Sequence, residues 1–421
     1  MYTVFYYAFI AICLLDFAWG CLLAALNRRH MRPVMPEALR GIYDEAEYAR
    51  QQRYQAAGSR VEQCKRLVFA IFYVAMLISG GFGLFDLWLA ERMGHFVLLS
   101  LAYLGCFFLA GGVLSLPFSI YDTFVIEARF GFNKTTPRLF IADLLKKALL
   151  YAVLGGVTIT AMLLLYRALG AWFWLPTWIV VALFSLFFNY FYSELIVPLF
   201  NRQEALPEGE LRRAIEALAA RAGFSLENIY VMDGSKRSTK ANAYFTGFGG
   251  KKRIVLYDTL IADLSEEEIV AVLAHEIGHY QRKHMRVLIA LSLASSFILF
   301  LSLSFFVGRP DVAWALGGVT PSPHLGLIGF SLIMLPLSLI LRLIQNCVSR
   351  RNEYQADAFA SGYGLGAALI AGLKKLESKA LANLSPHPWV VFWQHSHPTL
   401  LARMARIEAE SGDGPPENAR G

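Results

Sequence analysis

Long apolar blocks alternate with shorter polar segments along this chain, and the pattern predicts a protein that crosses a membrane several times. A helix needs about 20 mainly apolar residues to span the hydrocarbon core of a bilayer. Blocks near that length lie at 3–26, 67–89, 96–116, 145–166, 172–199, 287–307 and 325–344. The last two could instead be long helices buried inside a large domain. The first has neither a basic flank nor a small-residue cleavage site, so we expect an uncleaved span.

Lysine and arginine are shared unevenly between the polar segments, and this predicts the orientation. Residues 27–66 carry eight arginines and one lysine, and residues 121–144 carry Arg129, Lys134 and Arg138, with Lys146 and Lys147 close behind. The alternate segments carry little basic charge, at Arg92, Arg167 and Arg309. Since cytoplasmic loops are enriched in lysine and arginine, the N-terminus is predicted to lie outside and the C-terminus in the cytoplasm. The two longest polar stretches, 200–286 and 345–421, then share the cytoplasmic side.

Composition narrows the class of protein further. Of 421 residues, 56% are hydrophobic and 17% are charged, whereas soluble domains carry roughly a quarter charged residues. This excludes a disordered chain and argues against an ordinary soluble enzyme. The net charge of +7 fits basic loops beside a lipid bilayer, so no nucleic-acid partner is expected. The five cysteines have no C-x-x-C spacing, which supports neither a zinc–thiolate site nor a disulfide framework.

Three acidic residues, Asp16, Asp86 and Glu194, fall within or near the ends of predicted spans. A charge at that depth is costly and is often functional. Each of them could equally make a structural polar contact between helices. The sequence therefore leaves their role open.

The stretch 200–286 predicts a folded polar domain that contains a small sheet. Residues 208–223 have apolar positions at helical spacing and end at Gly223, a natural helix stop. Three β-type runs follow, at 229–232, 243–248 and 253–257. Ser265 and Glu268 then form a capping-box pattern that opens another helix.

That helix carries His275-Glu276-Ile277-Gly278-His279, an H-E-x-x-H pattern. Residues i and i+4 lie on one face of a helix, so both imidazoles can reach one metal ion. Glu276 lies beside the first ligand, where it can reach a water on the metal instead of the metal itself. A chance match in a chain of this length is on the order of one in a hundred. The alternative is a surface helix with two unrelated histidines.

A catalytic zinc needs a third protein ligand and an open position for water. After the last apolar block the chain reads SRRNEYQADAFA, where Glu353 and Asp357 are again four residues apart. We predict Glu353 as the third ligand, on a helix that continues the last span. Asp357 is then predicted to accept a hydrogen bond from a metal-bound imidazole. The alternative is an acidic pair that faces solvent.

At this point the chain resembles the CAAX prenyl protease type I family of integral-membrane zinc proteases. HEIGH, followed by a span and NEYQAD, carries the resemblance. Further stretches that are similar in kind and order are YDTFVIEARFGFNKTT (121–136), IVPLFNRQEALPEGELR (196–212), KANAYFTGFG (240–249) and HSHPTLLARMARIE (395–408). H-E-x-x-H alone would indicate only a zinc hydrolase. The resemblance covers roughly residues 35–408, and the set of motifs is specific.

The resemblance implies a role for each matching residue. His275, His279 and Glu353 would bind one Zn²⁺ per chain, and Glu276 would be the catalytic base. Asn242, Ala243 and Tyr244 would lie on an edge strand that holds an extended peptide by strand addition. His397 and Arg403 would bind the peptide or stabilise the oxyanion. From the residues alone, Asn242 could be a turn residue, His397 a helix-start residue and Arg403 part of a solvated helix face.

The expected fold is mainly α. It is a bundle of seven transmembrane helices with a cytoplasmic zincin-like metalloprotease domain that contains a small β-sheet. Residues 1–199 would form a membrane region of five helices with basic cytoplasmic loops. Residues 200–421 would form the zinc metalloprotease domain, including two spans at about 287–307 and 325–344.

The function expected first is a zinc-dependent membrane endopeptidase that acts near the C-terminus of prenylated or membrane-associated peptides. One alternative is a quality-control endopeptidase for membrane proteins with unprenylated substrates. Another is a membrane scaffold without catalytic activity, against which the complete set of metal-site residues argues. The expected location is the inner membrane if the protein is bacterial and the endoplasmic reticulum if it is eukaryotic, and the sequence leaves the substrate and oligomeric state open.

Overall fold

The computed structural model describes residues 2–31, 34–224, 228–246 and 253–412, and these are mainly helical. The α-helices are α1 (Tyr2–His30), α2 (Glu45–Ile78), α3 (Gly81–Ala90), α4 (Phe96–Tyr121), α5 (Pro137–Leu169), α6 (Trp174–Phe191), α7 (Glu210–Arg221), α8 (Asp258–Asp263), α9 (Glu266–Gln281), α10 (His284–Leu303), α11 (Pro310–Ala315), α12 (Pro323–Ile333), α13 (Leu335–Gly362), α14 (Gly366–Lys379), α15 (Pro388–Gln394) and α16 (Leu400–Gly412). Two π-helical turns, π1 (Asp122–Glu127) and π2 (Tyr192–Ile196), directly follow α4 and α6.

Five helical segments in the described part of the chain are long and apolar enough to cross a membrane, and the number rises to seven if two bent pairs are each one span. The five segments contain α1, α4, α5, α6 and α10. The bent pairs are α2 with α3, at 67°, and α12 with α13, at 56°. The apolar blocks at 67–89 and 325–344 thus fall on bent pairs, a feature that hydropathy alone does not reveal. The protein is an integral, multi-pass membrane protein.

The bend between α2 and α3 occurs where two glycine segments come together. Gly80 has a φ of +64°, and Gly317 has a φ of +81°. A Cβ on Gly83 would lie 1.9 Å from the Gly317 carbonyl, so a larger residue cannot fit there. Close by, Oδ1 of Asp86 lies 2.7 Å from Nε2 of the buried His324. Asp86 therefore makes a polar contact between α3 and α12, whereas Asp16 lines a cavity of about 400 Å³.

The sheet has four strands, namely β1 (Gln203–Ala205), β2 (Asn228–Met232), β3 (Ala243–Thr246) and β4 (Arg253–Tyr257), in the order β1-β2-β4-β3. β2 and β4 are parallel, and the other two pairs are antiparallel. The three predicted strands are confirmed, although residues 247–248 of the second lie outside the described residues. β1 was not predicted, because a run of three residues has no detectable periodicity. β3 lies at an edge of the sheet.

Helix α9 is buried along most of its length between the sheet and other helices. Ile269, Leu273 and Ile277 belong to one apolar core with Ile254 and Leu256 of β4. The predicted capping box of Ser265 and Glu268 is present at its start. This packing holds the H-E-x-x-H residues in place against the sheet.

Helix α13 continues the last predicted span, as expected, and crosses α9 at close range. A Cβ on Gly278 would lie 2.9 Å from Cβ of Phe359. Gly278 therefore permits an approach between the two helices that a side chain would prevent. This approach brings residues of α13 to the histidines of α9.

Candidate metal centre

Three potential ligand atoms from α9 and α13 converge on one point. Nε2 of His275 lies 3.1 Å from Nε2 of His279. The carboxylate of Glu353 lies 3.5 Å from the first ring nitrogen and 3.4 Å from the second. A tetrahedral zinc with bonds of about 2.0–2.1 Å separates its ligand atoms by about 3.3 Å. The spacing of the three groups therefore matches a zinc site.

The hydrogen bonds of His275 assign its tautomer. Its Nδ1 lies 2.8 Å from Oδ1 of Asp357, so the Nδ1 proton is donated to this carboxylate and Nε2 keeps its lone pair. Without a metal, burial lowers the pKa of His275, but the neighbouring Asp357 and Glu353 carboxylates outweigh it and raise the pKa to about 9. When Nε2 binds a metal instead of a proton, the Asp357 carboxylate on Nδ1 keeps the imidazole basic and in the ligating orientation.

Asp357 is itself fixed by a buried arginine. The guanidinium of Arg403 donates two hydrogen bonds to the Asp357 carboxylate, at 2.6 and 2.9 Å. Nη1 of Arg403 also lies 3.5 Å from Oε2 of Glu353. Both Asp357 and Arg403 are buried. Arg403 thus contacts Glu353 directly and His275 through Asp357. Its side chain is buried, so the alternative of a solvated helix face for Arg403 is wrong.

His279 has its own partner, which the sequence analysis did not single out. Nδ1 of His284 lies 3.1 Å from Nδ1 of His279, and Nε2 of His284 lies 2.8 Å from Oε1 of Gln355. The Gln355 oxygen can only accept, so His284 carries its proton on Nε2 and accepts from His279 through Nδ1. This leaves the Nε2 lone pair of His279 free to bind a metal. Both Nε2 lone pairs therefore face one another, an arrangement that a cation stabilises.

Two cavities meet at these ligands, and Glu276 lines both. The larger, of about 710 Å³, reaches between α6 and the start of α10. The smaller, of about 150 Å³, lies under the start of β3 and is walled by leucines of α14. Glu276 is half-buried, whereas His275 beside it is buried. Its carboxylate is thus accessible from the space where a substrate would lie.

His397 lies on the open side of the centre. Its Nε2 is 3.3 Å from Oε1 of Glu353, and its side chain is 62% exposed. It lines both cavities together with Glu276. An imidazole in this position can donate a hydrogen bond to a bound substrate. Arg403 is buried and lines the smaller cavity, so it can reach a substrate from that cavity.

The predicted peptide-binding residues lie on the edge strand and directly before it. Asn242 is exposed and lines the smaller cavity with Ala243. The Asn242 carbonyl accepts a hydrogen bond from the backbone N–H of Tyr257, at 3.0 Å, which fixes the start of β3. Tyr244 lines the larger cavity. The strand thus passes along the centre from one cavity to the other.

Two family models match the chain. Residues 25–202 match the CAAX prenyl protease N-terminal region of five membrane helices, and residues 205–411 match peptidase family M48. A curated relative, the CAAX prenyl protease 1 homolog of Oryza sativa, is 34% identical over 89% of this chain and 90% of its own length. The chain belongs to the CAAX prenyl protease 1 family of M48 peptidases. It is a membrane metalloendopeptidase of the CAAX protease type.

Other members of this family agree over most of the chain. CAAX prenyl protease 1 of Saccharomyces cerevisiae is 35% identical over 73% of this chain and 72% of its own length. The crystal structure of S. mikatae Ste24p superimposes with a TM-score of 0.91 at 28% identity. The match covers 96% of this chain and 99% of Ste24p. The resemblance inferred from the motifs is thus confirmed at the level of family and fold.

Proposed function

We propose that this enzyme uses one zinc ion to hydrolyse a peptide bond near the C-terminus of prenylated C-a-a-X substrates. The observation that carries the proposal is the convergence of His275, His279 and Glu353 beside an edge strand. The names of the relatives supply the substrate class, since they are CAAX prenyl proteases. A lipid-bearing peptide also suits a site between membrane helices.

The three ligands would hold the zinc, which would supply Lewis-acid polarisation of the scissile carbonyl and of the attacking water. Glu276 takes the proton of that water on its carboxylate and passes it to the leaving amine. Asp357 keeps the proton of His275 on Nδ1 throughout. Glu276 therefore transfers protons, whereas His275, His279 and Glu353 would bind the metal.

The remaining site residues bind and orient the peptide. Asn242, Ala243 and Tyr244 offer the edge of β3 to an extended substrate, which adds to the sheet as a fifth strand. His397 donates a hydrogen bond to the oxygen on which negative charge develops. Arg403 stabilises this arrangement through Asp357 and Glu353, and it faces the smaller cavity, where the residues after the cleaved bond would lie.

We also propose seven spans, with each bent helix pair counted as one, and a zincin-like domain on the cytoplasmic side. Residues 1–199 form the membrane region, and residues 200–421 form the zinc metalloprotease domain with the spans at about 287–307 and 325–344. The segment 121–144 supports a cytoplasmic position for this domain. Its basic residues favour the cytoplasmic side, and it contacts the metalloprotease domain through Asn133 and Ser238. With this orientation the N-terminus lies on the side opposite the cytoplasm. The membrane would be the endoplasmic reticulum in a eukaryote or the inner membrane in a bacterium.

One assay tests the substrate class. The purified protein, with and without a chelator, is given a farnesylated C-a-a-X peptide, its unprenylated twin and an unfolded membrane protein. We expect chelator-sensitive release of three residues from the farnesylated peptide, restored by added zinc. Equal or faster cleavage of the unprenylated twin or of the unfolded protein would favour a quality-control peptidase instead. The Glu276→Gln variant serves as the control for contaminating proteases.

A further inference from the structure

The two π-helical turns lie at the C-terminal ends of α4 and α6, where their glutamates pair with basic residues beside the sheet. π1 continues α4, and π2 continues α6. Such turns are rare and are frequently found at functional sites. Each contains a glutamate that points to the sheet, Glu127 in π1 and Glu194 in π2. Neither residue contacts the metal ligands or Glu276.

These glutamates pair with basic residues on opposite flanks of the edge strand. Oε2 of Glu127 lies 3.0 Å from Nζ of Lys240, three residues before β3 begins. Oε1 of Glu194 lies 2.7 Å from Nη2 of Arg253. Arg253 is the first residue of β4 and pairs in register with Thr246, the last residue of β3. One ion pair therefore lies at each end of β3.

Neighbouring aromatic rings reinforce both ion pairs. Nζ of Lys240 also donates to the Tyr54 hydroxyl, at 2.9 Å, and lies 4.6 Å from the centre of the Phe132 ring. The Arg253 guanidinium lies 5.3 Å from the Tyr230 ring. The Lys240 side chain is 36% exposed, and that of Arg253 is 22% exposed. Such partly buried groups are held in a fixed geometry better than exposed pairs are.

The strand and the metal ligands belong to different elements, so their separation has to be fixed. The ligands lie on α9 and α13, whereas β3 contacts α9 through the rings of Phe245 and Tyr280, 5.2 Å apart. A peptide added to β3 presents its scissile carbonyl at a distance set by the strand. A displacement of about 1 Å at a reacting centre can reduce the rate about a hundredfold.

We propose that Glu127 and Glu194 are positioning residues that hold the edge strand at its working distance from the metal centre. The proposal rests on the proposed function, because it assumes that β3 holds the peptide substrate. It assigns a use to both π-helical turns, which place the two carboxylates where the spans meet the sheet. It also accounts for Glu194, whose role the sequence left open.

Glu127→Gln, Glu194→Gln and the double variant test this proposal. We expect kcat for a dye-labelled ten-residue C-a-a-X peptide to fall about tenfold in the double variant, because a displaced strand misplaces the scissile carbonyl. The values of KM and of bound zinc should change by less than about twofold, since the peptide still adds to the edge of β3 and the zinc ligands are untouched. Glu216→Gln, which removes an exposed ion pair with Arg212 on α7, is the matched control and should leave kcat unchanged.

Exchanged charges decide between positioning and general instability. Glu127→Lys combined with Lys240→Glu keeps an ion pair in the same place, and we expect it to restore kcat toward that of the wild type. An unchanged kcat in the double glutamine variant would overturn the proposal, and so would zinc loss that accounts for all of its lost activity. The value of kcat is measured with whichever peptide the wild type cleaves, prenylated or not, so a wrong substrate class appears separately in the wild type.

Discussion

Nδ1 of His284 lies 3.1 Å from Nδ1 of His279, on the side of the ring that faces away from the other ligands. His284 begins α10, directly after the turn at Lys283, whose φ is +60°. The break between α9 and α10 thus turns the chain so that a histidine five residues after the second ligand comes to lie behind it. Gln355 then fixes the ring of His284 from α13.

We predict that His284→Ala weakens zinc binding by about 10- to 100-fold, because His279 loses the acceptor that fixes its tautomer. Competition with a calibrated chelator measures the affinity. His30→Ala is the matched control, since His30 lies at the end of α1 against His387. Wild-type zinc affinity in the His284 variant would show that its contact with His279 has no effect on the site.

Glu276→Gln should keep zinc and lose about a thousandfold or more in kcat, because glutamine cannot accept the proton of water. Elemental analysis and peptide hydrolysis on one preparation check both parts. Glu267→Gln, on an exposed position of the same helix, should change neither quantity. Normal turnover by the Glu276 variant would contradict its role as the base.

Glu353→Ala and Asp357→Asn should differ in kind. The first removes a ligand atom, so stoichiometric zinc is expected to be lost on purification. The second leaves all three ligand atoms and should weaken binding by about 10- to 100-fold, through the orientation of His275. If the Glu353 variant kept one zinc per chain, Glu353 would not be the third ligand.

Helix α9 should become less stable in acid through Glu268. Burial favours its neutral form, but hydrogen bonds from Lys375 and the Ser265 backbone outweigh this and hold the pKa of Glu268 below its ordinary value of 4.5. A lowered pKa in the folded state stabilises the protein above pH 4.5, and this stabilisation is lost as the pH falls through the folded pKa.

We therefore expect Glu268→Gln to destabilise the protein at pH 7 by up to about 1 kcal/mol, because it removes the ion pair with Lys375, whereas glutamine can keep the capping bond to Ser265. The difference from the wild type should shrink as the pH drops below 4.5. Thermal unfolding in detergent at several pH values measures it, with Glu267→Gln as the exposed control. A constant difference across this range would contradict the assigned ion pair.

The metal-binding pattern could be predicted because its geometry is local. His275 and His279 need only the helical repeat, and the capping box of Ser265 and Glu268 needs only the first turn of the same helix. Glu353 could be predicted as well, because it lies four residues before Asp357 on a helix that continues an apolar span. The contacts of His284 with Gln355, and of Arg403 with Asp357, join residues 71 and 46 positions apart. No local spacing indicates them.

The sequence by itself determined the membrane-spanning character, the candidate zinc ligands and the family, because hydropathy, helical periodicity and short motifs are written in consecutive residues. The tertiary structure alone decided which spans bend, that β3 is an edge strand, and that Glu127 and Glu194 meet its two flanks. These features depend on contacts between distant segments. Such contacts form only in the folded chain, where the close approaches at Gly83 and Gly278, the ion pairs and the apolar core form together.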